Sequence, residues 1–525
     1  MKLSLSTSNQ VALEAEVQKL VAASVASRIA SKDDSLWGTA AQPEASIRLG
    51  WITSARDSQE LLPGIFALRD EFAAKGVNRF VLCGMGGSSL APEVITKNAK
   101  VDLVVLDATA PDQVASALIH LERTAVVVSS KSGSTVETDS QKRAFETAFK
   151  AAGIDPTERI VIVTDPGSPL DVASRAAGYR VFNADPNVGG RYSALTAFGL
   201  VPSALAGADV TELLSSAISA SPLLGTDSSE NPGLWLGALL GRSLNGSALK
   251  DKFLIESDGL NGFGDWVEQL VAESSGKEDK GILPVVVTAE APELSNMPAD
   301  TLLIRFGSEV SGNTDAAFSG SLGELFLLWE YATVIAGYLQ GINPFDQPNV
   351  ESAKVAARAL LDSPASSSEV DFVDGGVAVK SYGFELSGST LDSAVEQLLS
   401  LVNDASYISV HAYLNRMAHP QLETLRDALA KRSGRPVTFG WGPRFLHSTG
   451  QYHKGGPKQG VFLQLTSDFE SDLAIEGRPF SFGGLIQAQA AGDANVLKDN
   501  GLPVLTLRVS NPLADLDRLK KVIAS

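Results

Sequence analysis

Short apolar runs alternate with amphipathic stretches along most of this chain. Residues 10–30 carry apolar side chains at helical spacing, and 37–52 form a less regular lead-in. The pattern then predicts helix 59–75, ended by Gly76, strand 79–83, a glycine-rich turn and a helix from Leu90. Next come strand 101–106, helix 111–121, strand 124–128 and an amphipathic helix bearing Phe145, Ala148, Phe149 and Ala152. Strand 159–164, helix 169–177 and strand 179–182 complete this first series. A second series, from about 232 to 362, has strands 253–256, 282–287 and 302–306 and a long helix 321–339. The polar run 362–369 reads as a linker. Beyond it lie strands 407–412, 437–440, 461–465 and 503–509, with helices at 421–430 and near 484–491. Strands alternating with helices imply parallel sheets covered on both faces, hence an α/β fold class. The expected organisation is a helical lead-in 1–50, α/β units 51–225 and 226–365, and a C-terminal α/β segment 366–525.

Composition narrows the possible partners. A length of 525 residues suits two to four domains. A net charge of −18 and a pI near 4.8 argue against nucleic acid and anionic membrane surfaces. Any anionic ligand must be drawn by local cations. The one cysteine, Cys83, excludes an internal disulfide and suits a reducing compartment. The N-terminus lacks the apolar run of a signal peptide. The longest apolar stretch, 325–339, contains Glu330 and is read as too short to span a bilayer. A cytoplasmic protein is expected.

Two loops carry the candidate chemistry. After strand 124–128 come Ser129, Ser130, Lys131, Ser132, Gly133, Ser134 and Thr135, then a helix. Hydroxyls, a cation and free N–H groups at a helix N-terminus suit a phosphate monoester; Ser and Thr also cap helices without any ligand. Gly84-Met-Gly-Gly-Ser-Ser89 likewise follows a strand and opens a helix. With Asp107 ending the next strand, a dinucleotide site is conceivable, but Ser89 stands where the third glycine of that motif belongs. Two such loops leaving neighbouring strands fit a sugar phosphate better than a dinucleotide.

Here the residues resemble a known family. Gly84–Ser88 and Ser130–Glu137 resemble the paired loops of sugar-isomerase (SIS) domains. Val188-Gly-Gly-Arg-Tyr-Ser193, Gln269–Lys277 and Gly341–Lys354 resemble, in order, signature blocks of the glucose-6-phosphate isomerase family. The chain also looks like the isomerase half of bacterial transaldolase–isomerase fusions. The resemblance implies two sugar-isomerase-like α/β domains, with the C-terminal segment added. It further implies aldose–ketose isomerisation of glucose 6-phosphate and fructose 6-phosphate through a cis-enediol, without redox cofactor or metal. A homodimer is left open. By match, Gly87 and Ser88 lie beside the sugar, while Ser130, Lys131, Ser132 and Thr135 hold the phosphate. Arg191 sits near the reacting carbons, Glu273 is the base, and Gln347 and Lys354 line the site.

The residues are consistent with that chemistry. One carboxylate can move a proton between C1 and C2. Helix 262–275 buries Phe263, Trp266, Val267, Leu270 and Val271, leaving Glu273 beside the apolar stripe, where partial burial would raise its pKa. An ordinary helix-end glutamate reads the same way by spacing alone. Arg191, after two glycines, could stabilise an enediolate or form a structural salt bridge. Lys354 would act on the ring oxygen or the O1 proton, or be a solvated helix lysine; Lys277 reads as a helix C-terminal charge. Ring opening departs from the family pattern. The Gly-Gln-His segment expected between the glutamate and closing blocks is missing, because 274–346 hold no histidine. The Gly-rich, basic stretch 446–457 carries His447 and His453, with Lys454, and reads as a loop. His453, or else His447, is the expected ring-opening group. Rival readings are a non-catalytic sugar-phosphate sensor and an isomerase that also accepts mannose 6-phosphate.

Overall fold

Three sheets carry the chain in the structure, a computed structural model that describes residues 1–241, 250–362, 370–510 and 512–524. In the first, strands Val104–Leu106, Arg79–Gly84, Thr124–Ser129, Ile160–Thr164 and Arg180–Asn183 lie side by side, all parallel. Strand Thr124–Ser129, with three consecutive valines at its centre, is buried along its whole length, as a strand covered on both faces requires. Gly84 pairs with Ser129, so the glycine loop and the serine loop leave the sheet as neighbours. Ligands of open α/β sheets bind beyond such carboxyl ends.

The second sheet runs Lys2–Leu5, Ala316–Ser319, Thr301–Phe306, Lys252–Glu256, Leu283–Val287, and only its first strand is antiparallel. That strand corrects the all-helical lead-in. The helix begins at Thr7, where the Ser6 hydroxyl accepts from Asn9 N, and the residues before it are too few for a period to register. The long helix is Leu322–Gln340, which corrects the apolar stretch read as too short to span a bilayer: its 19 residues suffice by length and composition. Its most apolar window is nevertheless 78% buried inside the fold. It packs against helices Val210–Leu224 and Pro232–Gly241, in a core shared with Trp51 and Trp329.

The third sheet has four parallel strands, Val504–Val509, Gly460–Ser467, Tyr407–Tyr413 and Val437–Trp441, extended at the first by an antiparallel hairpin, Phe372–Asp374 and Val377–Tyr382. The hairpin was not expected. The stretch read as a histidine-bearing loop is instead a turn of 3₁₀ helix, Arg444–His447, and a short helix, Gly450–Gly455, buried along its length. The linker expected at 362–369 lies, from 363 on, outside the described residues. Ion pairs tie the third sheet to the rest: Arg426 to Glu293, Arg435 to Asp300, and Arg416 and Arg444 to Glu93 and Asp107.

Candidate active site

Two glycines allow three loops to meet. Gly86 adopts φ +56°, and a Cβ there would come within 2.6 Å of the His447 carbonyl oxygen. A Cβ on Gly87 would lie 2.0 Å from the Gly190 carbonyl oxygen. Only glycine permits such approaches. Loop 84–89, with Ser88 half-buried at its turn, is thereby pressed against the segment bearing Arg191 and against His447.

Arg191 is 2% exposed, and every nitrogen of its guanidinium is engaged. Nε donates to Ser274 Oγ at 2.7 Å. One terminal nitrogen donates to Glu273 Oε1 at 3.1 Å and Gln347 Oε1 at 2.8 Å, and the other to the carbonyls of Pro344 and Asp346 at 2.8 and 3.1 Å. The glutamate helix Phe263–Ser275, the 189–193 turn and the closing block therefore converge on one cation. The other oxygen of Glu273 accepts from Gln269 Nε2 at 3.1 Å, and the same amide donates to the His447 carbonyl at 2.8 Å. A carboxylate held from both sides, beside a fixed guanidinium and two glycine-lined loops, can move a proton at a carbon whose neighbouring oxygen carries developing charge.

The serine loop is preformed. Ser130 Oγ accepts from Gly133 N and donates to Thr135 Oγ1, each at 3.2 Å, and Ser132 and Ser134 share a 2.8 Å hydroxyl contact. Thr135 is the N-cap of helix Val136–Ala151 without capping it through its side chain, so its hydroxyl is not spent on the backbone. Ser132, Ser134 and Thr135 line a cavity of about 100 Å³ together with Glu137, Arg358, His447 and Gln489. His447 Nε2 is 3.0 Å from Glu137 Oε1, which also accepts from Gln489 Nε2 at 2.6 Å. Lys131 departs from its expected place: its ammonium turns away to Asp165 Oδ2 at 2.6 Å and the Pro186 carbonyl at 3.2 Å.

The remaining expected groups are distributed differently. His453 is 2% exposed; Nδ1 meets Tyr407 OH at 2.9 Å and Nε2 meets Ser409 Oγ at 3.4 Å. Burial, then His411 and Lys454, hold it well below the usual histidine range. It belongs to the interior of the third sheet, and of the two histidines the structure brings only His447 to the glycine and serine loops. Lys454, expected to attract an anionic sugar, is buried against Asp493 at 2.6 Å. Asp107 is engaged by Arg416 and Arg444 at 3.2 and 3.0 Å, which leaves it no part in ribose binding. Lys277 reaches not to its own helix end but to the Asn343 and Asp346 carbonyls at 2.7 and 2.5 Å; burial and Arg191 push its ammonium down to about 8. Lys354 falls within helix Val350–Asp362, and its side chain lies outside the described residues.

The chain has recognisable relatives. The sequence model of a family described as phosphoglucose isomerase matches residues 69–291. A glucose-6-phosphate isomerase from Caldanaerobacter subterraneus subsp. tengcongensis is 30% identical over 311 residues, covering 48% of this chain and 69% of the relative. The chain belongs to the phosphoglucose isomerase family. It is thus an enzyme of the aldose–ketose isomerase class. A second relative, the glucose-6-phosphate isomerase of Listeria monocytogenes, is 31% identical over 297 residues, 46% of this chain and 66% of its own. Among solved structures, a hypothetical protein from Thermus thermophilus superposes with a TM-score of 0.57 at 25% identity, over 69% of this chain and 100% of that one. The phosphoglucose isomerase match ends before His447, so the histidine comes from a segment outside it. Sequence reasoning missed Gln269, Glu137, Gln489 and Arg358. Gln269 and Glu137 were legible in principle, lying inside quoted blocks; Gln489 and Arg358 reach the site only through tertiary packing.

Proposed function

We propose that the protein interconverts glucose 6-phosphate and fructose 6-phosphate through a cis-enediol(ate), with Glu273 as the base. The observation that carries this reading is the Glu273–Arg191 pair at 3.1 Å, set where the glycine loop, the 189–193 turn and the closing block meet. The phosphate sits at the hydroxyls of Ser130, Ser132 and Thr135 and the N-terminal N–H groups of helix Val136–Ala151. The sugar then extends past Gly87 and Ser88 toward Glu273. The carboxylate removes the C2 proton of the aldose and returns it to C1. Arg191, held by bonds from all its nitrogens, acts through its fixed positive charge, which stabilises the enediolate as it forms. Gln347 helps keep Arg191 in place.

Ring opening precedes the carbon step, and we assign it to His447. Glu137 fixes the Nε2 edge of its imidazole, which leaves Nδ1 to exchange a proton with the ring oxygen or anomeric hydroxyl. Lys354 shares in handling the O1 proton. The substrate lies between the units at 51–225 and 226–365, with the segment 366–525 closing one side, and the cytoplasm is the compartment that suits a reaction on sugar phosphates. A coupled assay on fructose 6-phosphate tests the reading, with glucose and mannose products measured separately. Turnover to glucose 6-phosphate is expected, and Glu273→Gln should lower kcat by at least ~10²-fold while substrate still binds. Binding without turnover in the wild type would make the protein a sugar-phosphate sensor. A substantial mannose fraction would broaden the substrate range.

A further inference from the structure

We propose that Arg358 is the cation that holds the substrate phosphate, a role the sequence pattern gives to Lys131. The inference rests on the reading that the phosphate binds at Ser130, Ser132 and Thr135. The charge around that loop is the starting point. Lys131 is committed to Asp165 at 2.6 Å and to the Pro186 carbonyl, so the loop itself offers hydroxyls and N–H dipoles but no free positive charge. The adjoining Glu137 adds a negative charge, already engaged with His447 and Gln489. A phosphate dianion brought to such a surface needs a counter-cation, because the protein's net charge of −18 opposes it at longer range.

Among the described residues lining the cavity with Ser132, Ser134 and Thr135, Arg358 is the one with a permanent positive charge. It stands on helix Val350–Asp362, whose Ala357 and Leu361 line the same cavity. That helix is closely seated on Phe482–Asp499: a Cβ on Gly492 would come within 2.9 Å of Ala357 N. The arginine is therefore presented by a packed element, while its own side chain is exposed and can close on an incoming anion. A guanidinium can take two phosphate oxygens at once, leaving the remaining oxygen for the hydroxyls and amides of the loop. The phosphate is thus gripped between the serine loop of the first sheet and helix Val350–Asp362.

The test compares Arg358→Gln and Arg358→Lys with Ser132→Ala, Thr135→Val and Lys131→Met, using fructose 6-phosphate as substrate and inorganic phosphate as competitor. Arg358→Gln should raise KM and weaken phosphate inhibition at least ~10-fold with kcat within about threefold, the signature of a contact made equally in ground and transition states. Arg358→Lys should recover part of the loss, since it keeps the charge but not the fork. If Ser132→Ala and Thr135→Val raise KM while Arg358→Gln leaves it unchanged, the phosphate site stands and Arg358 is excluded. A raised KM from Lys131→Met beside a silent Arg358→Gln returns the role to Lys131. If all five variants keep their KM and phosphate does not compete, the phosphate reading itself fails, and Arg358 with it. Urea midpoints equal to wild type certify that each variant is folded.

Discussion

At the scale of single residues, the two neighbouring histidines do opposite things. His447 is bonded to a carboxylate at the edge of a cavity, with 14% of its side chain accessible. His453, six positions later, is enclosed by Tyr407, Ser409 and His411. His447→Asn is therefore expected to slow turnover of the closed-ring sugar, with a defect that shrinks when substrate is supplied in its open form. His453→Asn should leave turnover near normal at 25 °C and instead cost about 1–3 kcal/mol of stability, because the Tyr407 hydroxyl loses a buried partner. Parallel kinetics and urea melts on the two variants decide it. A kinetic defect in His453→Asn larger than that in His447→Asn would reverse the assignment.

At the scale of elements, what could be read in the sequence was what depends on local order. The run 124–128 is apolar on both faces and could only be a buried strand, so the hydroxyls after it had to stand at a sheet's carboxyl end. The stripe of Trp266 and Leu270 put Glu273 beside the buried face of its helix but read equally as an ordinary helix-end glutamate; the roles expected of Glu273 and Arg191 came from the family resemblance of the blocks around them. What failed depended on partners distant in sequence. Lys131 is diverted by Asp165, 34 residues away, and Lys454 by Asp493, 39 residues away. The glycines of 446–457 suggested a loop, but Gly455 packs where a Cβ would sit 2.4 Å from Asn349 Oδ1, and Gly450 starts a helix. Small residues there serve close packing and not flexibility.

That same helix, packed on the third sheet, predicts a pH dependence. His411 and His453 are both held below the ordinary 6.5, chiefly by burial, with Lys454 opposing their protonation and Asp493 favouring it. The Tyr407 and Ser409 hydroxyls complete the surroundings of the two rings. The sign follows from which state takes up protons. Above the unfolded value of about 6.5 both rings are neutral in both states, and the full stability is present. Below it the unfolded chain binds protons that the folded chain refuses, so stability falls by up to about 1.4 kcal/mol per pH unit for each histidine until the folded pKa is reached. Glu268 and Glu330, whose carboxyls burial holds well above their usual range, act in the opposite sense in this window, so the histidine contribution is read as a difference: between pH 7 and pH 5 the wild-type urea midpoint should lose more, or gain less, than that of His453→Gln. An unchanged slope in the variant would mean that the imidazole is not titrating in the unfolded state alone.

At the scale of the whole molecule, the site depends on the third sheet staying docked, because that sheet's segment supplies His447 and Gln489. Part of the docking is electrostatic and buried. Asp107, at the end of strand Val104–Leu106, receives Arg416 and Arg444, and the same two arginines reach Glu93 at 3.1 and 2.6 Å. Against burial that would raise it, Arg444, Arg416 and Lys97 hold the Glu93 carboxyl well below its usual range. Two carboxylates and two guanidiniums thus neutralise one another where the first and third sheets meet. Replacing one member leaves the others desolvated and unbalanced, which typically costs about 3–5 kcal/mol. Asp107→Asn removes one charge with almost no change of shape and touches none of the groups assigned to substrate. It should therefore lower the urea midpoint sharply, while kcat and KM measured well below the transition stay within about threefold of wild type. Had Asp107 served a ribose, the substitution would abolish ligand binding and spare stability. A loss of activity without loss of stability would therefore show that Asp107 serves a ligand and not the docking of the third sheet.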